Sequence, residues 1–125
     1  MKRNEKGFTL IELVTVIAIL GVLAAMTVPK FFALQGKAKI EVENQIIGSI
    51  RAGLETYAAN EIVFNGAKVY PVDTSTSLLT DILNPVPSGW DYTGSPLNKI
   101  RHIDGDTTTW TYTRPSAASY TIVAD

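Results

Sequence analysis

The chain contains no cysteine and a single histidine, His102. The first absence excludes disulfides, thiolate metal sites and cysteine nucleophiles, and it leaves the redox compartment undetermined. The second leaves multi-histidine metal sites and His-centred catalysis without residues. Charge is also sparse. Charged residues make up 18% and the formal balance is −1, so no net basic pull toward nucleic acid or anionic lipid exists. There is no Gly-rich phosphate loop, no nucleophile elbow and no acid pair on one helix face. Neither an enzyme nor a cofactor is expected. Internal repeats and low-complexity tracts are absent too. What remains plentiful is apolar surface. Hydrophobic residues are 46% of 125, enough for one small domain with one appended element and too many for a disordered chain.

That apolar content is unevenly placed. Residues 8–28 read FTLIELVTVIAILGVLAAMTV, 21 residues with one charge, Glu12. The run meets the length of about 20 residues that a helix needs to cross a bilayer. Lys2, Arg3 and Lys6 precede it, opposed by Glu5. A basic flank of this kind stays on the cytoplasmic side. Beyond residue 7 the chain holds 8 basic and 11 acidic residues, a formal −3, so the basic leader reads as a targeting device.

Three readings compete for the segment: a removable secretory signal ending near Ala24 and Ala25, a plain membrane anchor, or a retained apolar helix cut after Gly7. Glu12 helps to choose, since a carboxylate within a membrane helix costs roughly 2.5–3.5 kcal/mol. The run also exceeds the roughly 7–15 residues of a signal core. Its helical pattern continues past Pro29.

The stretch Lys6-Gly7-Phe8-Thr9-Leu10-Ile11-Glu12 resembles the class III signal of type IV prepilins and of the pseudopilins of type II secretion. The likeness lies in one register: a basic leader, Gly7, Phe8, an acid four residues on, then an apolar run ending near a proline. It spans residues 1 to about 60. The resemblance implies cleavage between Gly7 and Phe8 by a prepilin peptidase and N-methylation of Phe8. It also implies that the segment from Gly21 to Pro29 can lose helical structure inside a filament; a merely bent helix is the alternative.

Further along, Val42, Ile46, Ile50, Leu54 and Tyr57 are spaced as one helical stripe, widened by Ile47 and Ala58. Lys39, Glu43, Gln45, Arg51 and Glu55 are expected on the other faces. The spacing predicts one helix over residues 8–60, about 50 residues or roughly 75 Å, apolar all round over 8–28 and amphipathic after Pro29. Pro29 should kink or loosen it. Residues 61–125 read as a globular head. Asn65-Gly66, between Ile62-Val63-Phe64 and Lys68-Val69-Tyr70, is a hairpin signal. Asp73 or Thr74 could cap a short helix over Ser75 to Leu83. Residues 84–89 form a loop. Three strands are expected at 99–103, 107–113 and 119–124, with Asp104-Gly105 in the first turn and Arg114-Pro115-Ser116 in the second. Trp110, Tyr112, Tyr120 and Ile122 would share one sheet face. The fold class is therefore α+β: a long N-terminal helix on a small antiparallel sheet of three or four strands, the layout of a pilin fold.

Glu12 carries two readings. Cutting after Gly7 frees an amine on Phe8, and in an apolar medium that amine would attract a neighbour's Glu12 strongly. Alternatively Thr9-x-x-Glu12 is a capping box serving only its own helix. Asp104-Gly105-Asp106 is a turn. Some pseudopilins hold calcium in acidic loops, but Asp104 and Asp106 are few ligands for a cation that takes about 6–8 oxygens. His102 reads as a solvated or core-edge residue, and the Trp and Tyr side chains as sheet or core aromatics.

The combined expectation is a structural subunit of a type IV pilus-like filament. It would be held first in the bacterial inner membrane, processed by the peptidase, and polymerised by assembly machinery into a homo-oligomeric helical filament outside the cell. A pseudopilin of a type II secretion system, forming a periplasmic pseudopilus, is the alternative. A third possibility, of another class, is an ordinary membrane-anchored binding domain. No direct contact with nucleic acid is expected.

Overall fold

The computed structural model describes residues 7–104 and 106–125, with Asp106 described by its backbone alone. A single helix, α1 (Leu10–Asn65), takes up most of the first half of the sequence. It is followed by a one-turn helix, α2 (Leu78–Ile82), and by four strands: β1 (Trp90–Thr93), β2 (Lys99–Asp104), β3 (Asp106–Ser116) and β4 (Ser119–Ala124). The chain divides into two compact units, Met1–Val42 and Glu43–Asp125.

In the first unit no described side chain is buried. The helix runs unbroken through Gly21 and Pro29. Thr15 and Thr27 donate their hydroxyls to the carbonyls of Ile11 and Leu23 at 2.7 and 3.0 Å, so these polar groups are satisfied within the helix.

The second unit is a four-stranded antiparallel sheet in the order β1-β2-β3-β4, covered by the later turns of α1. Alternate residues point inward. Trp90 pairs with His102, Tyr92 with Ile100, Ile100 with Trp110, and Tyr112 with Ile122. Trp110, Tyr112 and Ile122 are buried and Tyr120 packs against them, as the alternation in β3 and β4 required. The helix answers with Ile47, Ile50, Leu54 and Ala58. Helix and sheet together give the α+β, pilin-like layout.

The stripe on α1 differs from expectation at its start. Val42 is 53% exposed, and Glu43 occupies the buried position one turn before Ile47. The sequence 43-47-50-54-58 keeps helical spacing, so the backbone had no other residue to offer there. Gly53 lies on the same side. A Cβ at that position would come within 2.7 Å of the Ile82 carbonyl oxygen, so glycine lets α1 and the end of α2 approach closely.

Several local expectations are corrected. Asn65-Gly66 makes no hairpin: Ile62-Val63-Phe64 are helical, and α1 ends at Asn65 rather than near residue 60. Gly66 adopts φ +72° and its amide donates to the Ile62 carbonyl at 3.1 Å, which terminates the helix. The second helix covers only Leu78–Ile82, and Ser77, not Asp73 or Thr74, sits at its N-cap. Asp73 instead uses its backbone carbonyl to accept the Tyr92 hydroxyl at 2.6 Å. Residues 90–93, assigned to no element in advance, form the fourth strand. Arg114-Pro115-Ser116 lies within β3 and not in a turn. The ladder with β4 shifts register between Thr113 and Ser116, and β2 pairs no further than Thr111, so Pro115 interrupts no bond to β2. The Asp104-Gly105 turn involves Gly105, outside the described residues; Asp104 and Asp106 flank it as a strand pair.

Several hydrogen bonds stitch the segment between the helices to the sheet. The Arg114 guanidinium donates to the Tyr70 carbonyl at 2.7 Å, Tyr112 to the Pro71 carbonyl at 2.8 Å, and Tyr92 to that of Asp73. Burial raises the pKa of both tyrosine hydroxyls, that of Tyr92 to about 12.

Candidate functional site

The start of α1 is built by two side chains three residues apart. The Thr9 amide donates to Glu12 Oε2 at 2.8 Å, and the Glu12 amide donates to Thr9 Oγ1 at 3.3 Å. This is a reciprocal capping box, and the Leu13 amide closes the first turn onto the Thr9 carbonyl at 3.3 Å. The local reading of Glu12 is therefore realised within a single chain. A carboxylate offers about four lone-pair sites. Thr9 engages Oε2, which leaves Oε1 able to accept from a second group.

Gly7 and Phe8 precede the capping box in irregular backbone. No atom lies within 4 Å of where a Cβ on Gly7 would be, and Phe8 is 94% exposed. An enzyme that needs the Gly7–Phe8 bond therefore meets no obstruction from the described residues of this chain. Residues 1–6, which hold Lys2, Arg3 and Lys6 of the leader, lie outside the described residues.

From Phe8 to Val28 every apolar side chain is exposed. The most apolar 18-residue window of the helix has a mean hydropathy of 2.4 and none of it is buried, so the helix is long and apolar enough to cross a membrane. Gly21 has nothing within 4 Å of where a Cβ would stand. With Ala18, Ala24 and Ala25 it marks a part of the helix that another helix could approach closely. Pro29 has no amide to donate, so the Ala25 carbonyl lacks its usual helical donor.

The remaining candidates lie in the head. Asp104 sits at the end of β2 opposite Asp106. Whether the two carboxylates converge lies outside the described residues, because the Asp106 side chain does. Among the described residues no three His, Asp or Glu side chains are grouped to hold a metal. His102 is a core-edge residue, 9% exposed. Its ring stacks on Trp90 at 4.8 Å, and Trp90 stacks on Trp110 at 5.3 Å. Glu43, placed on an outer face by sequence reasoning, is the partner of His102. The available signal was its position four residues before Ile47 on the buried stripe; its charge masked it.

Comparison with known proteins places the first of these features in a family context. Residues 2–28 match the prokaryotic N-terminal methylation motif. The chain is 32% identical over 93 residues to type II secretion system core protein G of Pseudomonas aeruginosa, an alignment covering 74% of this chain and 63% of that protein. It is 39% identical over 56 residues to the type IV major fimbrial protein FimA of Dichelobacter nodosus, covering 45% and 36%. It is 43% identical over 57 residues to the fimbrial protein EcpB of Eikenella corrodens, covering 46% and 36%. The chain thus spans under two thirds of the length of each of these relatives. No solved structure matches it.

Proposed function

We propose that this chain, which carries the prepilin-type methylation motif and is similar to both fimbrial proteins and a type II secretion core protein, is a structural subunit of a type IV pilus-like filament. A prepilin peptidase removes residues 1–7 by cutting after Gly7, and Phe8 becomes the N-methylated terminus. Residues 8–28 hold the subunit in the inner membrane and then form the filament core. Residues 61–125, with the docked turns of α1, form the outward head.

One observation supports this most. Among the described residues, none of the apolar surface of residues 8–28 is buried, and the single carboxylate in it stands one turn from the new terminus. Lipid and sister helices are both apolar, so transfer from one to the other need not be steep, and van der Waals packing at small residues can tip it. Glu12 adds a register. Its Oε1 is available to the Phe8 amine of a neighbouring subunit while Oε2 stays with Thr9. An amine–carboxylate contact in an apolar medium is far stronger than in water. Gly21 to Pro29, where Pro29 offers no amide to the Ala25 carbonyl, is where α1 would lengthen or unwind on packing.

The pseudopilin reading fits the comparisons as well: the similarity to core protein G runs over 93 residues and so reaches the head, and that to the fimbrial protein EcpC of Eikenella corrodens runs over 84. Filament length in cells distinguishes the two: long surface fibres for a pilus, short periplasmic ones for a pseudopilus. The filament reading itself is tested by Glu12→Ala. The variant is expected to insert and be processed normally yet form at least about tenfold fewer filaments by electron microscopy, the loss expected if the contact is worth ~1.4 kcal/mol. Normal assembly would leave Glu12 as a cap only.

A further inference from the structure

We propose that Asn65–Gly66 is a self-modification site, in which the Gly66 amide nitrogen attacks the Asn65 side-chain carbonyl once the last turn of α1 opens. The chemistry needs no enzyme, oxidant or metal. The Gly66 nitrogen gives up its proton and bonds to Asn65 Cγ, the Cγ–Nδ2 bond breaks, and ammonia leaves. The product is a five-membered cyclic imide. Water then adds to either imide carbonyl. Breaking the new bond yields aspartate; breaking the original peptide bond yields isoaspartate, with the backbone rerouted through Cβ. The net change is water gained and ammonia lost.

The site has the required features. Glycine follows the asparagine, so no Cβ shields the nucleophile. Both residues are exposed, and nothing lies within 4 Å of where a Gly66 Cβ would be. In the closed helix, however, the Gly66 amide is held by the Ile62 carbonyl at 3.1 Å, and Asn65 Nδ2 is held by Glu61 Oε2 at 2.6 Å. Both reacting groups are thus engaged elsewhere until the turn frays. Fraying should be easy. The last buried residue of α1 is Ala58, while Val63 and Phe64 are 77% and 81% exposed. A helix end without buried contacts sits at the low end of local stability.

The product changes the site lastingly. A carboxylate at position 65 replaces a donor to Glu61 with a like charge one turn away, and puts negative charge at the negative end of the helix dipole. The reaction therefore unravels the turn whose opening permits it. None of this depends on the filament reading.

The test uses the full chain in detergent micelles and a free peptide of residues 61–69, incubated together in mildly alkaline buffer and read by peptide mass spectrometry. The mass gain is expected at Asn65 before Asn44, Asn60, Asn84 or Asn98. It should run about tenfold slower in the chain than in the peptide, an opening cost of ~1.4 kcal/mol. Asn65→Gln should remove the gain at that position, because a longer side chain disfavours the five-membered ring. Conversion elsewhere first, a chain rate equal to the peptide rate, or no conversion after about a hundred peptide half-lives overturns the proposal. Asn65→Asp, which mimics one product, should exchange its Gly66 amide hydrogen faster than wild type; equal exchange overturns the unravelling step.

Discussion

Glu43 of α1 and His102 of β2 meet inside the head, with Oε1 and Nδ1 2.8 Å apart and both residues buried. Thr108 of β3 donates its hydroxyl to the same Oε1 at 3.0 Å. The carboxylate thus joins the helix to two strands at the first docked turn. Ile47, Ile50 and Leu54 supply apolar burial but little directional preference. A polar contact at one end of that stripe is satisfied in only one alignment of helix on sheet.

Removing one member of this group should cost more than the group contributes. Glu43→Ala strands His102 Nδ1 and the Thr108 hydroxyl, and an unsatisfied buried polar group costs about 1–3 kcal/mol. Replacing all three groups, as Glu43→Leu with His102→Phe and Thr108→Val, should be near neutral or stabilising, since no buried polar group is then left without a partner. Denaturant unfolding of wild type, Glu43→Ala and the triple variant is the check. A triple variant as weak as Glu43→Ala would show that the polar group itself stabilises.

Two glycines on α1 should respond oppositely to the same substitution. Gly48 has open space where a Cβ would go, so Gly48→Ala is expected to stabilise the helix by about 0.5–1 kcal/mol. Gly53→Ala would push its Cβ to 2.7 Å from the Ile82 carbonyl and should destabilise the head by about 1–3 kcal/mol despite better helix propensity. Thermal melts of the two variants decide; a stabilising Gly53→Ala would mean that α1 and α2 are further apart.

Acid should weaken one corner of the sheet. Lys99 and the Thr111 hydroxyl hold the Asp125 carboxyl at about 2, below its ordinary 3.8. A depressed carboxyl stabilises the fold above its unfolded value and loses that contribution as pH falls through the folded one. The melting-temperature difference between wild type and Asp125→Asn should therefore be full above pH 3.8 and shrink toward pH 2. A difference constant across that window would contradict it.

Alkali should act through Tyr92. Burial raises its hydroxyl from 10 to about 12, so the folded state holds the proton more tightly. Stability should be full below pH 10 and fall as pH rises toward 12, and less steeply in Tyr92→Phe. Unfolding monitored by tryptophan fluorescence reads this directly; identical slopes would show that the hydroxyl ionises without resistance.

The parts of the fold that the sequence disclosed were those with one dominant period. The 21-residue apolar run and the 4-and-3 spacing after Pro29 each admit one secondary structure, a helix. Alternation in Trp110-Thr111-Tyr112 and Tyr120-Thr121-Ile122 fixed which face is inside. The misreadings came from signals with two meanings. Asn-Gly suits a tight hairpin and a helix terminus equally, and the tertiary setting chose the latter. Proline at 115 suggested a turn, but a strand tolerates it where a ladder has shifted and one neighbour has ended. Glu43 was set outside by its charge, because its compensating partner lies 59 residues away and no local pattern announces it. Trp90–Thr93 is too short to alternate visibly. At the N-terminus, Thr9 and Glu12 disclosed the capping box through spacing alone.

The central claim is that residues 1–7 are removed and the apolar helix is kept. Intact mass and N-terminal sequencing of the protein recovered from its native cells test it most directly. The account expects a chain that begins at Phe8, carries one methyl group on its amine and retains Glu12. A chain that still begins at Met1, or one that begins near Met26 with the apolar run gone, would contradict it.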